Sequence, residues 1–308
     1  MKLQTFSEKV KDELSHYEYE ENAMKAILSS FVTNSLIISF TNKGEGWKLH
    51  TQLLSTIKLI SYFFEHLYNV KHNISFTEIS RLNNRRTYRL IIDGNFKQIA
   101  NDLQLNSLTP NNILKTIVDQ RAYLVGAFLS GGSINSIDKS VYHLEIRSSK
   151  INYLRLVQKI LEKFNISISL LKRRNNFVLY IKKATDVSDF LKIIGANNAM
   201  QDLEDKIIAR DYYANIKRLN NLDMANLNKT SSAGLKQVKM IKAIRYSNDF
   251  KNQPDKFRFF CTLRLQYPEA SLSEMVKIFQ TKYKITITRT GINHYAMKIK
   301  EIFDAINN

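Results

Sequence analysis

The feature that most constrains this chain is an internal repeat within residues 20–200. Each half reads helix, two strands, helix, two strands, helix. In the first half, apolar spacing makes Glu20–Thr33 helical. Ser35–Phe40 is a short apolar strand, Gly44–Gly46 turn it, and Trp47–Gln52 returns. Leu53–Val70 is a long helix, and Ile74–Leu82 and Thr87–Asp93 flank a turn. In the second half, Asp119–Ser130 is helical and Ser133–Asn135 starts a strand that Val141–Ser148 joins. Lys150–Phe164 is the long helix, and Ile166–Leu171 and Phe177–Lys183 flank the second turn. Ile74 to Ile166 spans 92 residues and Thr33 to Gly131 spans 98, so the copies keep step. Two such units share a core about a pseudo-twofold axis. The alternative is a chance alternation of helices and strands. Against it, both second hairpins carry a basic, Asn-rich tip: Asn83, Asn84, Arg85 and Arg86, then Lys172, Arg173, Arg174, Asn175 and Asn176. The fold class read from this pattern is α+β, a duplicated αββαββα domain at 1–200 with repeats at about 20–108 and 119–196.

Beyond the repeat the pattern turns helical and basic. Asp202–Leu219 reads as a helix, Asn-rich Asn220–Thr230 breaks the period, and Ser231–Ser247 resumes it. Leu235, Val238 and Ile241, with Ala243 or Ile244, lie on one side. This makes 201–254 a basic helical connector, followed by an all-α domain at 255–308. The chain carries 46 basic and 28 acidic side chains, a net charge of +18. Residues 206–308 supply +11 of it, from 19 basic and 8 acidic side chains, and residues 206–254 alone hold ten basic and three acidic. Such an excess favours a polyanion: DNA, RNA or an anionic membrane surface. The bland alternative is a solvated, lysine-rich surface from an AT-biased genome. Cys261 is the only cysteine, which excludes a disulfide framework and fits a reducing cytoplasm. Met1–Glu21 lacks an apolar signal core, and no stretch approaches the ~20 apolar residues of a membrane span.

The last segment reads as three helices. Asp255–Gln266 is stopped by Pro268, which removes a backbone donor and disfavours helix in the residue before it. Ser271 and Glu274 make a capping-box pattern that starts a second helix, running to about Gln280. Thr281–Ile287 is irregular. Thr288 can cap a third helix, Arg289–Ala305, with Ile292, Ala296, Ile299 and Phe303 as its core stripe. A recognition helix needs such a stripe and, opposite it near the N-terminus, polar groups that reach base edges. Arg289, Thr290, Asn293 and His294 occupy that place. Arg reads guanine and Asn reads adenine through paired hydrogen bonds. Ser273, Thr288 and Lys298 join them as candidate DNA contacts, and Lys229, Lys236 and Lys239 of the connector are candidate phosphate contacts. An ordinary three-helix bundle with a solvated polar face is the alternative. The connection of seven or eight residues exceeds the usual three or four.

The segment Tyr123-Leu-Val-Gly-Ala-Phe-Leu-Ser-Gly-Gly-Ser133 resembles the helix-end motif of LAGLIDADG homing endonucleases. In that family an acid before the final glycine binds metal at the scissile phosphate. Here that position is Gly131, and its counterpart in the first copy falls at Thr33. Neither supplies the oxygen anion that metal-assisted phosphodiester cleavage needs. Four further segments carry a wider resemblance: Phe6-Ser-Glu-Lys-Val-Lys-Asp-Glu-Leu14, Asn226-Leu-Asn-Lys-Thr230 followed by Gln237, Pro268-Glu-Ala-Ser-Leu-Ser-Glu274, and Thr290-Gly-Ile-Asn-His294. With Gly126–Ser133 they occur in order across nearly the full chain, which is similar to the WhiA family. The resemblance implies a degenerate LAGLIDADG-like domain joined to a helix-turn-helix. It implies a bacterial double-stranded DNA-binding regulator of sporulation, or of cell division and chromosome segregation. No catalytic residue, metal or cofactor follows from it. RNA polymerase or another transcription factor is a further partner it allows, at the nucleoid in the cytoplasm. The chain departs from the family at Thr281–Thr288, where the connection reads longer.

Other residues carry less. The six histidines show no metal-ligand spacing, and no Gly-rich phosphate loop is present. Asp138 reads as a turn residue and Trp47 as core packing rather than a base-stacking platform. Arg85–Arg86 and Arg173–Arg174 are either phosphate contacts or solvated hairpin tips. Two other function classes stay open: an active metal-dependent DNA endonuclease, and a scaffold whose repeat domain binds a protein partner.

Overall fold

The computed structural model describes residues 4–41, 44–79, 85–93, 96–135 and 142–307. The chain forms two compact units, the first ending at Arg210 and the second beginning at Asp211. In the first, helix α1 (Phe6–Ser15) starts from a Thr5–Glu8 capping box. The first copy follows as α2 (Glu21–Ser35), β1 (Ile37–Thr41), β2 (Gly44–Thr51), α3 (Leu54–Tyr68), β3 (Lys71–Ile79), β4 (Arg85–Asp93) and α4 (Phe96–Asp102). The second is α5 (Ile117–Gly131), β5 (Gly132–Ile134), β6 (Leu144–Ser148), α6 (Ile151–Lys163), β7 (Ser169–Arg173), β8 (Asn176–Ile181) and α7 (Ala184–Ile193). The αββαββα duplication expected from the repeat is therefore present. The two antiparallel sheets have matching orders, β1-β2-β4-β3 and β5-β6-β8-β7.

Strand register fixes which residues are counterparts. Leu49 faces Leu90 and Ile146 faces Leu179, all four buried, so 49 corresponds to 146. Ile37 faces Lys48 and Ser133 faces Glu145, so 37 corresponds to 133. The helices before them then end at counterparts, Ser35 and Gly131, an offset of 96. This corrects the expectation that Thr33 stands in the place of Gly131. Periodicity marked Thr33 as the helix end, whereas α2 continues two residues further. The same offset pairs Ser30 with Gly126, where α2 and α5 pack together: a Cβ on Gly126 would lie 2.8 Å from the Ser30 Cβ. Around that crossing Ile27, Phe31, Leu124 and Phe128 are fully buried. Burying each such side chain is worth about 1.5–3 kcal/mol.

Local boundaries differ from the reading in places. Gly44 and Gly46 belong to β2 instead of a turn. The second tip narrows to Arg174 and Asn175, with Arg174 at φ +53°. Trp47 is core, stacked on Phe96 at 5.0 Å. Asn83, Asn84, Asp138 and the side chain of Arg85 lie outside the described residues.

Helix α8 (Asn197–Ile244) runs through the unit boundary. The Glu13 carboxylate caps its start, accepting from the Asn198 and Ala199 amides at 2.8 and 3.0 Å. The break expected at Asn220–Thr230 is absent. That stretch holds no Pro or Gly, and each Asn costs a helix no more than about 0.7 kcal/mol relative to Ala. The second unit continues with α9 (Asn248–Lys251), α10 (Asp255–Gln266), α11 (Leu272–Tyr283) and α12 (Arg289–Asn307). Ile241 and Ile244 of α8 join Phe257, Phe260, Met275, Phe279, Ile292 and Ile299 in its core. Ile302, not Phe303, is the last buried position of α12, and Phe303 is half-buried.

Candidate nucleic-acid interface

The supporting frame of the second unit is built from local caps and one buried cation. Ser271 and Glu274 close the expected capping box on α11. Hydrogen bonds to Ser271 hold the exposed Glu274 carboxyl below its usual range. The helix ends at Lys284, in the left-handed region, and Tyr283 stacks on Phe259 at 4.3 Å. The connection to α12 is thus five residues, Lys284–Thr288, shorter than the reading of 281–287 suggested. Arg264 of α10 is 2% exposed. Its guanidinium donates to the carbonyl of Ala270 at 2.6 Å and to those of Tyr267 and Pro268 at 3.4 Å. It thereby ties the α10–α11 loop together. Gly234 of α8 packs under the same loop, where a Cβ would collide with the Pro268 carbonyl. Cys261 is buried here, and burial pushes its thiol up to about 12, so it serves as core.

On this frame α12 starts at Thr288, whose hydroxyl accepts from the Gly291 amide at 3.1 Å. A Cβ on Gly291 would stand 3.0 Å from the Ile287 side chain, a tight contact. Arg289, Thr290, Asn293 and His294 are exposed on its first turns, while Ile292, Ala296 and Ile299 are buried. Among these four, the residues 289 and 293 share one side of the helix, as do 290 and 294. Ser273 is exposed on the first turn of α11. Lys298 is only half-exposed and pairs with Glu301 at 3.0 Å, so it is less available than its neighbours. Lys229, Lys236 and Lys239 are exposed on α8. Met297 was missed. It is 58% exposed, with its sulfur 3.9 Å from the Asn293 amide, and puts an apolar group on the polar face. Its i+4 spacing from Asn293 was the available signal.

In the first unit, the ends of α2 and α5 open into a cleft of about 840 Å³. Gly131 forms part of its wall. A Cβ there would collide with the Arg147 carbonyl and come 2.6 Å from Asn34 Nδ2. The counterpart Ser35 turns its hydroxyl back to the Phe31 carbonyl at 2.6 Å. Nearby, buried Glu145 holds two arginines: Arg147 Nε donates at 2.9 Å and Arg173 at 3.0 Å. Burial raises the Glu145 pKa, but the two guanidinium groups outweigh it and hold the carboxyl below its usual value. Arg86 instead pairs with Glu78 at 3.7 Å and lies over the Phe76 ring. Among the described residues, no three or more His, Cys, Asp or Glu side chains gather where a metal could be held.

Comparison with known proteins agrees with this architecture. The model of the WhiA LAGLIDADG-like domain matches residues 120–213, and that of the WhiA C-terminal HTH domain matches residues 216–303. A protein of Lysinibacillus sphaericus named "Probable cell division protein WhiA" is 32% identical over 98% of this chain and 97% of its own. A Staphylococcus epidermidis protein of the same name is 32% identical over 99% of this chain and 98% of its own. The crystal structure of full-length DUF199/WhiA from Thermatoga maritima shares the fold, with a TM-score of 0.61 over 98% of each chain at 22% identity. At full-length coverage and this identity, the chain belongs to the WhiA family.

Proposed function

We propose that this chain is a sequence-specific double-stranded DNA-binding protein that regulates transcription in cell division, chromosome segregation or sporulation, and that it does not cut DNA. The observation that carries the reading is α12: a capped helix with Arg289, Thr290, Asn293 and His294 exposed on its first turns and a buried apolar stripe. In the proposal these four read base edges, and Ser273 and Thr288, at the starts of α11 and α12, meet phosphate with the helix amides. Lys229, Lys236, Lys239 and Lys298 add phosphate contacts. Relatives named as cell division proteins support the regulatory role. RNA polymerase or another transcription factor is the further partner such a regulator would meet, and the nucleoid its place of action. Among the described residues no helix is long and apolar enough to cross a membrane. Gly131 and Ser35 at the two helix ends put no carboxylate at either, where metal-assisted cleavage would require them.

Selection of the DNA sites bound by full-length variants tests this. Asn293→Ala is expected to relax preference at one base position by about 1–3 kcal/mol with little change in salt dependence. Lys239→Ala is expected to weaken all sequences alike and to reduce the salt slope by about 1. Unchanged base preference in an Arg289→Ala/Asn293→Ala double variant would sink the assignment of α12. Conversion of supercoiled plasmid by the wild-type protein with magnesium or manganese would sink the claim that it does not cut.

A further inference from the structure

The middle of α8 carries a series of side chains that neither core uses, and it is independent of how α12 meets DNA. Residues 211–229 are all exposed, and seven of them are large apolar side chains. Four of these, Tyr212, Ile216, Leu219 and Leu222, fall on one side of the helix; Tyr213, Met224 and Leu227 fall outside it. An exposed apolar strip of this kind marks an interaction surface. Tyr212, Leu219 and Leu222 also keep the a, a and d places of a heptad, and Asn215 and Asn226 take the remaining d and a. The two asparagines interrupt the series, which is why apolar spacing alone shows no period there. From Tyr212 to Asn226 it runs about 21 Å at 1.5 Å per residue.

The charges beside the series say what covers it. Arg218 stands at g and Asp223 at e. Neither finds an opposite charge within its own helix, because every residue three or four positions from either is alanine, asparagine or leucine. Arg218 donates instead to the Asn215 side chain. In a parallel pair of helices, a g residue meets the e residue five positions later on the partner helix. Two copies of α8 in register therefore join Arg218 of each to Asp223 of the other, twice by symmetry. The same register sets Leu219 on Leu219 and Leu222 on Leu222. It also sets each asparagine on its twin, where a polar pair at a seam position specifies register. The antiparallel register that sets Leu219 against Leu222 puts Arg218 beside Ala225 and Asp223 beside Ile216, and joins no opposite charges.

We propose that residues 212–226 of α8 form a pairing surface for a second copy of this chain, in a parallel two-stranded seam. The seam adds nothing to either core. Being short, it is expected to part on warming before either unit unfolds, so association reads it and unfolding does not.

Sedimentation equilibrium of the full chain across the micromolar range, at physiological salt, tests this. The weight-average mass is expected to rise from 35.9 kDa towards about twice that. Leu219→Gln/Leu222→Gln replaces two exposed side chains by a good helix former and is expected to hold the mass at the monomer value. Asp223→Arg turns two attractions into two repulsions and is expected to weaken association about fivefold or more. Adding Arg218→Asp exchanges the charges, keeps the net charge of the wild type, and is expected to restore association. The helical circular dichroism of each variant checks that folding is unchanged. A monomer at every concentration overturns the proposal, as does association that survives the leucine variant. Association that the charge exchange fails to restore overturns the parallel register. A monomer that instead sediments with phosphatidylglycerol vesicles gives the strip to an anionic membrane surface and overturns the pairing.

Discussion

At the scale of single residues, Gly131 decides more than its lack of a carboxylate suggests. Its α-hydrogen faces the Arg147 carbonyl, and any side chain must push into that backbone or into Asn34. Restoring an acid is therefore not a local edit. Gly131→Asp is expected to leave supercoiled plasmid intact with magnesium and to destabilise the first unit by about 1–3 kcal/mol, the usual cost of overpacking. In a unit of this size that lowers the midpoint by roughly 2–4 °C per kcal/mol in thermal denaturation. A Gly131→Asp protein as stable as wild type would show that the helix end yields. The counterpart Ser35 is half-buried and gives up only its hydroxyl bond to Phe31, so Ser35→Asp is the milder change. Residue identities at these positions were legible in the sequence, and they sufficed to argue against a carboxylate pair. Partnerships were not. Lys150 meets Thr33 across 117 residues and Lys11 meets Leu129 across 118, and no local pattern records contacts of that span.

At the scale of elements, what could be read was whatever a short window encodes. Pro268 stops α10 by its missing donor, and Ser271 with Glu274 starts α11 and Thr288 caps α12, each by a bond to a residue three positions away. The end of α11 was not legible, because Tyr283 is held by Phe259 of another helix. Nor was the role of Arg264, since an arginine in an amphipathic pattern reads as a surface residue until its surroundings are known. Buried as it is, Arg264 satisfies three carbonyls of the loop that sets α11 against α10. Burial lowers its pKa, and a guanidinium stays charged in a protein all the same. Arg264→Met retains the volume and removes the donors. Each stranded carbonyl costs about 1–3 kcal/mol, so the variant is expected to lower the unfolding midpoint of the second unit and DNA affinity with it. Thermal denaturation and a binding titration on the same sample check this. Unchanged stability would mean that water replaces the guanidinium at those carbonyls.

At the scale of the whole molecule, α8 contributes residues to both cores. The first includes Leu203 and touches Ile207; the second begins at Met240 and Ile241. Residues 211–229 of α8 are all exposed. This is also where the sequence reading broke the helix, for a sound reason: a segment that buries nothing shows no amphipathic period, and its Asn content lowers propensity without stopping the helix. No residue of that stretch belongs to either hydrophobic core, which makes it the part of α8 least tied to them. A proline in its middle removes a donor and clashes with the preceding turn, at a cost of about 3 kcal/mol or more. Leu222 is 60% exposed, so its replacement opens no cavity. Leu222→Pro is therefore expected to reduce the helical circular dichroism signal while leaving the calorimetric unfolding of both units within about 1–2 °C of wild type, since surface changes away from packed features stay within about 0.5 kcal/mol. A larger fall in either transition would mean that the middle of α8 is packed in solution, and that the stability of the unit concerned extends beyond the core described for it.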